Sequence, residues 1–263
     1  MTTPIRLFAL LAVFALTMLI ARTGMGQDKK KEAKKAPAIK MVLPLALKPG
    51  AATTLTIRGL GLAEAKEVKF PGGQATVVKI SSKGQAGPPD KNPERVGDSQ
   101  VVVDLKVNDK LPAEAIRVVV VTPNGDTEPF SILVADPDVP VVKEKEPNDG
   151  FRTPQVIPVP SVVEGTIERQ RDVDVFRFDG KKGQKIVAEV VSARQGSGLD
   201  AQLTLFDKNG NQLAFSDDKV GLDPRIEIVL PADDYYLLSL IDSHDTGSNL
   251  HAYRLVVSNA KKD

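Results

Sequence analysis

The sequence contains no cysteine and no tryptophan, and only three tyrosines and two histidines occur among its 263 residues. Without cysteine there is no disulfide, no thiol nucleophile, no cysteine-ligated zinc and no lipid anchor on cysteine. Packed apolar cores, helped at most by an ion, must therefore stabilise the fold. A formal net charge of +1 gives no electrostatic reason to expect nucleic acid as a partner.

Glycine and proline are plentiful, with 20 and 19 residues, and they are spread along the whole chain. This spread favours many short strands joined by turns over long helices. The length suits two domains of ordinary size. We therefore predict an all-β protein made of two antiparallel β-sandwich domains, the first Ig-like and the second jelly-roll-like, joined by a proline-rich linker.

The N-terminal residues carry a targeting pattern. Arg6 precedes the apolar run Leu7–Ala21, and small residues follow at Gly24 and Gly26. This order predicts a signal peptide over residues 1–26, and its removal would take the formal net charge to −1 because Arg6 and Arg22 leave with it. The apolar run is shorter than the roughly 20 residues that span a bilayer, so a retained membrane anchor is the weaker alternative. We expect a protein that is secreted, or that lies in the periplasm or cell envelope, with no membrane span after cleavage.

Residues 27–38 form a lysine-rich segment without apolar periodicity, which predicts a charged flexible linker. Its lysines either contact anionic envelope polymers or simply keep a spacer solvated. Residues 39–135 then show strand patterns bounded by turn residues, at Thr54–Arg58, Val101–Val107 and Arg117–Thr122. The polar stretch from Lys83 to Gly97 predicts an exposed loop.

Three segments of this first domain carry a resemblance to a known family. They are LTIRGLGL from Leu55, the VxF pattern ending at Phe70, and VVVVTPNGDTEPFSILV from Val118. Together they resemble the IPT/TIG branch of immunoglobulin-like domains, whose members are spacers or binding units. Residues 136–145 contain Pro137 and Pro140, so we place the linker between the domains there.

Residues 146–259 predict a second sandwich, followed by a tail at 260–263. The predicted strands are Val162–Ile167, Val173–Phe178, Gln184–Val191, Ala201–Phe206, Arg225–Leu230, Tyr235–Ile241 and Tyr253–Val257. Alternation in the second of these predicts that Val173, Val175, Phe176 and Phe178 supply the core, while Asp172, Asp174 and Arg177 face water or an ion.

Several short motifs in this half occur in a known order. They are Glu146-Pro147-Asn148-Asp149, Asp172 to Phe178, Gly183-Gln184, Leu199 to Asp207, Leu230-Pro231-Ala232 before Tyr235-Tyr236, and Tyr253-Arg254-Leu255. Taken together they resemble the bacterial pre-peptidase C-terminal (PPC) domain, with Asp233-Asp234 standing where the family usually has a glycine. The resemblance implies a jelly-roll-like sandwich that accompanies secreted peptidases without being catalytic.

The collagen-binding module of clostridial collagenases is related to these domains, and the resemblance implies a calcium site. Its ligands here would be Glu144, Glu146, Asn148, Asp149, Asp172 and Asp174. Calcium takes six to eight oxygen ligands, and this set supplies most of them if the two segments meet. The alternative is that Asn148 and Asp149 cap a turn while Asp172 and Asp174 are solvated charges at a strand edge. Asp217, Asp218 and Asp223 predict an exposed acidic connection.

No enzyme is predicted. The sequence lacks HExxH, GxSxG and P-loop spacings, and Ser243-His244-Asp245 is adjacent in the chain, whereas a triad is assembled from separate elements. We expect a non-catalytic binding or adhesion protein that engages an extracellular polymer or protein through one sheet face. Tyr235, Tyr236, Tyr253 and Phe215 are its available aromatics, and at least half of them should be core. The alternatives are an accessory subunit of an exported peptidase or envelope complex, and an unrecognised hydrolase.

Overall fold

The computed structural model describes residues 36–88, 92–111 and 115–260, which fold as an all-β protein built of sandwiched sheets. The fold class predicted from the sequence is confirmed. The predicted signal peptide and most of the charged linker, up to residue 35, lie outside the described residues.

The first sandwich pairs two sheets. One has the strand order β1-β3-β6-β5, with β1 (Ala38–Leu43), β3 (Ala52–Leu60), β6 (Ser99–Val107) and β5 (Ala75–Gln85), all antiparallel. The other has the order β2-β9-β7-β4, with β2 (Ala46–Leu47), β9 (Phe130–Val134), β7 (Ala115–Thr122) and β4 (Glu67–Lys69), and β8 (Gly125–Asp126) pairs with β7. Aliphatic side chains such as Leu55, Ile57, Val103, Ile116 and Ile132 fill the space between the sheets and are fully buried.

The second sandwich pairs two five-stranded sheets. The first has the order β10-β12-β19-β14-β17, with β10 (Val141–Lys143), β12 (Ser161–Thr166), β19 (Ala252–Asn259), β14 (Lys185–Val191) and β17 (Arg225–Val229). The second has the order β11-β13-β18-β15-β16, with β11 (Gln155–Val156), β13 (Val173–Gly180), β18 (Asp234–Asp242), β15 (Ala201–Phe206) and β16 (Gln212–Ser216). Its core holds the buried rings of Phe176, Phe178, Tyr236 and Tyr253.

The polar stretch from Lys83 to Gly97 is not one exposed loop. Strand β5 continues to Gln85, and a single helical turn, α1 (Pro93–Val96), begins after Asn92, whose side chain accepts from the Glu94 N–H. Val96 is buried, and the Arg58 guanidinium donates to the Val96 carbonyl. The helical turn α1 has a single buried apolar residue and therefore shows no apolar periodicity, so the sequence pattern did not predict it.

Strand β13 alternates differently from the prediction. Asp174 lies on the same inward face as Phe176 and Phe178, and its exposure is 0%. Val173 and Val175 lie on the opposite face. The core therefore ends, at this edge of the sandwich, on a buried carboxylate.

The two sandwiches touch through a small apolar cluster within one compact unit. Met41, Leu45 and Val96 of the first pack against Leu250 and Ala252 of the second. The backbones of the two sandwiches also approach closely at Gly196 and Lys40, since a Cβ atom added at Gly196 would lie 1.8 Å from the Lys40 carbonyl oxygen.

Candidate metal centre

Residues 141–156, which we call the bridging segment, run from β10 to β11 and attach to both sheets of the second sandwich. Strand β10 pairs in parallel with β12, and β11 pairs in parallel with β13. Between them, the Asn148 carbonyl accepts from the Val175 N–H at 3.0 Å. This pairing lays the bridging segment beside the start of β13, where Asp172 and Asp174 lie.

The structure brings together all six residues predicted as calcium ligands. Carboxylate oxygens of Glu144, Glu146 and Asp174 lie within 4.8 Å of one another, and so do those of Glu146, Asp149 and Asp172. Glu146 belongs to both groups, so the five carboxylates are contiguous. We call them, with Asn148, the carboxylate cluster: Glu144, Glu146, Asn148, Asp149, Asp172 and Asp174.

The cluster has a buried floor and an exposed rim. Asn148 and Asp174 are fully buried and Asp172 is 2% exposed, whereas Glu146 and Asp149 are exposed. Asp172 and Asp174 are therefore not solvated charges at a strand edge. Burying charged groups without compensating partners is strongly unfavourable, so what faces these oxygens decides the chemistry of the site.

The buried floor has few hydrogen-bond donors. The Tyr253 hydroxyl donates to Asp174 Oδ2 at 2.5 Å, and the Glu168 N–H donates to Asp172 Oδ2 at 2.6 Å. Asp172 Oδ1 is buried and has no hydrogen-bond partner, although Arg169 Nη2 lies 3.1 Å away as an ion pair without hydrogen-bond geometry. The buried oxygen Asp172 Oδ1 thus accepts no hydrogen bond.

Arg169 belongs to the carboxylate cluster by its contacts, although no motif in the sequence singles it out. Its guanidinium contacts Asp149 and Asp172 and reaches Glu146 at 3.5 Å, and its side chain is 54% exposed. The coulombic attraction of Asp172 and Asp149 raises the pKa of Arg169 above its usual value. It is a partial counter-charge held on the solvent side of the cluster.

The Asn148 amide lies among the carboxylates. One of its terminal atoms is 3.3 Å from Glu146 Oε2 and 3.2 Å from Asp174 Oδ1. If that atom is the nitrogen, it donates to both carboxylates. If it is the oxygen, it can serve as one more oxygen ligand beside the two carboxylates.

Burial, together with the neighbouring charge of Glu146, raises the pKa of Glu144 to about 7. Burial likewise raises the pKa of Asp174 to about 8, against the lowering effect of the Tyr253 hydrogen bond and with added repulsion from Glu144. Both shifts have the same origin, which is negative charge placed in a poorly solvated position without enough donors.

Asp223 was predicted to belong to an exposed acidic connection, and this is wrong. It is fully buried, and its Oδ1 accepts from the Ser192 N–H at 3.1 Å, the Ser192 hydroxyl at 2.7 Å and the Ala193 N–H at 2.8 Å. Its Oδ2 accepts from Arg194 Nη1 at 3.0 Å. Asp223 thus caps the 3₁₀ turn Ala193–Gln195, a role that a list of acidic residues does not reveal.

Asp217 and Asp218 lie instead beside Asp200, with carboxylate oxygens within 4.8 Å of one another. Asp218 is exposed, and Gln202 Nε2 donates to Asp217 at 3.3 Å. This second acidic group is open to solvent, unlike the floor of the carboxylate cluster.

The two histidines do not form a relay with a serine. The Ser243 hydroxyl donates to Asp200 Oδ2 at 2.6 Å, and His244 Nδ1 lies 2.9 Å from Ser243 Oγ and 3.2 Å from Asp200 Oδ2. The hydroxyl proton therefore points to the carboxylate and not to the imidazole. His251 is buried, with Ser248 Oγ 2.8 Å from its Nδ1.

The four aromatics proposed for a binding face divide equally. Tyr236 and Tyr253 are 1% exposed and belong to the core, whereas Tyr235 is half-buried and Phe215 is 52% exposed. The expectation that at least half are core residues is confirmed. Tyr235 and Phe215 remain accessible.

None of the helices among residues 36–88, 92–111 and 115–260 has the length and apolar character needed to cross a membrane.

Comparison with known proteins gives a match within the second sandwich. Residues 172–240 match the family model described as the bacterial pre-peptidase C-terminal domain. The chain is 38% identical over 106 residues to a probable subtilase-type serine protease of Deinococcus radiodurans, a match that covers 39% of this chain. The chain spans 15% of the length of that relative.

Two solved structures are similar at low identity. The pre-peptidase C-terminal domain of a collagenase from Bacillus anthracis is 16% identical with a TM-score of 0.35, covering 43% of this chain and 99% of that domain. The xyloglucan-locus protein SGBP-B of Bacteroides uniformis is 11% identical with a TM-score of 0.29, covering 85% of this chain and 73% of that protein. The predicted PPC domain is confirmed for residues 172–240 of this chain.

Proposed function

We propose that the protein is an exported, non-catalytic binding protein whose second sandwich is stabilised by calcium in the carboxylate cluster. One observation carries the calcium proposal. Five carboxylates converge on a buried floor that supplies few hydrogen-bond donors and leaves Asp172 Oδ1 without a hydrogen bond. A cation held by these oxygens would supply the missing positive charge.

The donor set fits calcium better than other common metal ions. The six residues offer only carboxylate and amide oxygens, with no histidine or cysteine, and oxygen-only sites favour calcium or magnesium over zinc. Calcium accepts irregular sets of six to eight oxygens, whereas magnesium demands a near-ideal octahedron. Arg169 approaches from the solvent side with a half-exposed side chain, so it can turn away from the cluster without disturbing the core.

Calcium in this position would join the two sheets of the second sandwich. Glu144, Glu146, Asn148 and Asp149 lie in the bridging segment, which pairs with β12 of one sheet and β13 of the other. Asp172 and Asp174 belong to the start of β13. An ion that ties these groups together holds the N-terminal strands of the sandwich onto its body.

The binding role is supported by the sequence pattern of export and by the PPC match, which is to a non-catalytic module. An extracellular polymer or protein is the proposed partner. The relative in Deinococcus radiodurans, a probable subtilase-type serine protease, supports a second candidate, in which the protein is an accessory subunit of an exported peptidase or envelope complex. Co-purification from envelope extract with one stoichiometric peptidase would favour this second candidate.

The calcium proposal is tested by calorimetric titration of the metal-depleted protein, followed by thermal melting. At a calcium concentration of about 100 times Kd, binding stabilises the folded state by about 2.7 kcal/mol. This corresponds to an increase in Tm of about 5–10 °C. Asp172→Asn should abolish both the heat and the increase in Tm, whereas Asp126→Asn, in the exposed strand β8 of the first sandwich, should change neither.

No heat of binding and no change in Tm at millimolar calcium would remove the proposal. Equal loss of calcium binding in the Asp126→Asn control would show that the titration reports general surface charge.

A further inference from the structure

A groove of about 920 Å³ opens at the end of β13 opposite the carboxylate cluster, beside the turn from β13 to β14. Arg177 and Asp179 of β13, the turn residues 180–184 and the segment 233–235 line it. Asp174 and Asp179 are five residues apart on one strand, a separation of about 17 Å at the usual rise of a strand. The groove is therefore separate from the proposed calcium site.

The cationic side chains of the groove have unused donors. The Arg177 guanidinium lies 4.3 Å from the centroid of the Tyr235 ring. Its one hydrogen bond, from Nη2 to Asp179 Oδ1, is long at 3.5 Å, and its Nε is buried without a hydrogen-bond partner. Lys181 and Lys182 are exposed, and neither ammonium group has an ion-pair partner among the described residues.

The acidic side chains of the groove are partly committed to the protein itself. Asp234 pairs with Lys208 at 2.7 Å and accepts from the Tyr235 N–H at 2.9 Å. Asp233 accepts from the Lys182 N–H at 2.6 Å, which fixes the turn against β18. Asp179 is 81% exposed, so its oxygens and the second oxygen of Asp233 can accept hydrogen bonds from a ligand.

We propose that this groove binds a uronate sugar, as found in an acidic polysaccharide. A sugar carboxylate would take the guanidinium N–H groups of Arg177, for which a planar, charge-assisted pair is the strongest arrangement. The sugar hydroxyls would donate to Asp179 and Asp233, and the accessible edge of Tyr235 offers an apolar surface for the ring carbons.

The mixture of charges favours a sugar over an acidic peptide. A polyanionic peptide has few hydroxyl donors to offer to Asp179 and Asp233. A neutral sugar would leave the donors of Arg177, Lys181 and Lys182 without an anion.

This inference rests on the proposed binding function and names its ligand class. It is independent of calcium, because the two sites share no residue. Binding of a uronate sugar without calcium binding would support the groove and remove the calcium proposal, and the reverse result would do the opposite.

The test is a calorimetric titration of the whole protein with trigalacturonate, galactotriose and a short polyglutamate. Trigalacturonate should bind at least 10-fold more tightly than each of the other two. Arg177→Gln should weaken trigalacturonate binding at least 10-fold, and the double variant Lys181→Gln/Lys182→Gln should weaken it about 3-fold to 10-fold. Both lysines are exposed, so the double variant should keep the Tm of the wild-type protein.

Lys219→Gln, an exposed lysine of the same sandwich outside the groove, is the matched control and should bind as the wild type does. Equal affinity for polyglutamate and trigalacturonate would overturn the proposal, because the groove would then respond to negative charge alone. Equal affinity for galactotriose, no binding of trigalacturonate, or unchanged binding in the Arg177→Gln protein would overturn it as well.

Discussion

Two regions of the second sandwich bury aspartates, and they differ in what faces the carboxylates. Asp223 and Asp242 are surrounded by donors, and backbone N–H groups of Asp200, His244 and Thr246 all point at Asp242. Burial alone would raise the pKa of Asp242, yet these hydrogen bonds lower it below its usual value. Asp174 lies deeper and faces other carboxylates, so burial first, and then the neighbouring charges, raise its pKa to about 8.

The difference shows two solutions to one physical problem. A buried carboxylate needs positive partial charge, which the backbone of the protein supplies to Asp223 and Asp242. At the carboxylate cluster the backbone supplies little, and a cation from solution is the natural complement. Burial of a carboxylate alone is therefore no sign of a metal site; the proposal for the carboxylate cluster rests on several buried carboxylates that face one another.

The largest effect is expected from Asp223→Ala, which removes the acceptor for Ser192, Ala193 and Arg194 and leaves those donors unsatisfied. We expect a loss of about 3–5 kcal/mol, the range for breaking a buried ion pair. The Tm, measured by circular dichroism, should fall by about 10 °C. Calcium should not restore it, since this aspartate is satisfied by the protein. A Tm equal to that of the control Asp138→Ala, at an exposed aspartate, would contradict this account.

The next effect is the pH dependence of the metal-free protein. The pKa values of Glu144 and Asp174 are raised in the folded state, so the unfolded state releases these protons at lower pH. Stability from these groups is full below their unfolded pKa values of about 4 and is lost as pH rises to about 8. We expect Tm to fall by about 5 °C or more between pH 5 and pH 8.

Saturating calcium should reverse this pH trend, because the ion favours the charged carboxylates. A metal-free Tm that stays constant or rises between pH 5 and pH 8 would contradict the raised pKa values. The measurement is differential scanning calorimetry at fixed ionic strength.

A smaller effect, of opposite sign in two conditions, is expected from Asp174→Asn. In metal-free protein at pH 8 the substitution removes a repelled charge while the amide oxygen still accepts from Tyr253, so stability should rise by about 1–2 kcal/mol. With calcium present the same variant should be less stable than the wild type, because a ligand is lost. The same sign in both conditions, measured by thermal melting, would show that no cation uses Asp174.

The smallest effect is expected from Asp218→Asn in the second acidic group. This side chain is exposed and close to Asp217, so neither Tm nor its response to calcium should change by more than about 1 °C. Loss of the calcium response in this variant would indicate that calcium binds at Asp200, Asp217 and Asp218 and not in the carboxylate cluster.

Motif order in the sequence predicted which residues meet in the carboxylate cluster, but not the strands that bring them together, since β10 lies in the segment predicted as a linker and β11 was not predicted. The letters around Glu146 and around Asp172 matched one family, and the parallel pairing of β10 and β11 brings both segments together. The predicted strands of the second sandwich agree with the structure to within a few residues. The Ig-like resemblance of the first half stays a prediction.

Burial and hydrogen bonding could not be predicted, because they depend on side chains far apart in the chain. Asp223 and Asp218 look alike in sequence, but only Asp223 meets the N–H groups of residues 192–194. Asp174 lies on the core face because it is two residues from Phe176, whose ring is in the core. Counting the alternation from Val173 instead places Asp174 on the opposite face of the strand. Arg169 was missed because a single arginine in a turn carries no motif.

The bridging segment also places the first strand of the second sandwich, β10, close to its last strand, β19. Val141 of β10 pairs with Val162, and its neighbour Ser161 pairs with Val257 of β19, so the first and last strands flank β12 at one edge of the sheet. At the usual spacing between strands, Val141 and Val256, which both pair with Val162, lie about 10 Å apart. A unit whose ends meet in this way can be spliced into a surface loop of an unrelated host without stretching the host backbone. Residues 141–260 should thus fold when inserted into another protein. Leu250 and Ala252 contact the first sandwich in this chain, so they are the residues to replace by polar ones in such an insertion.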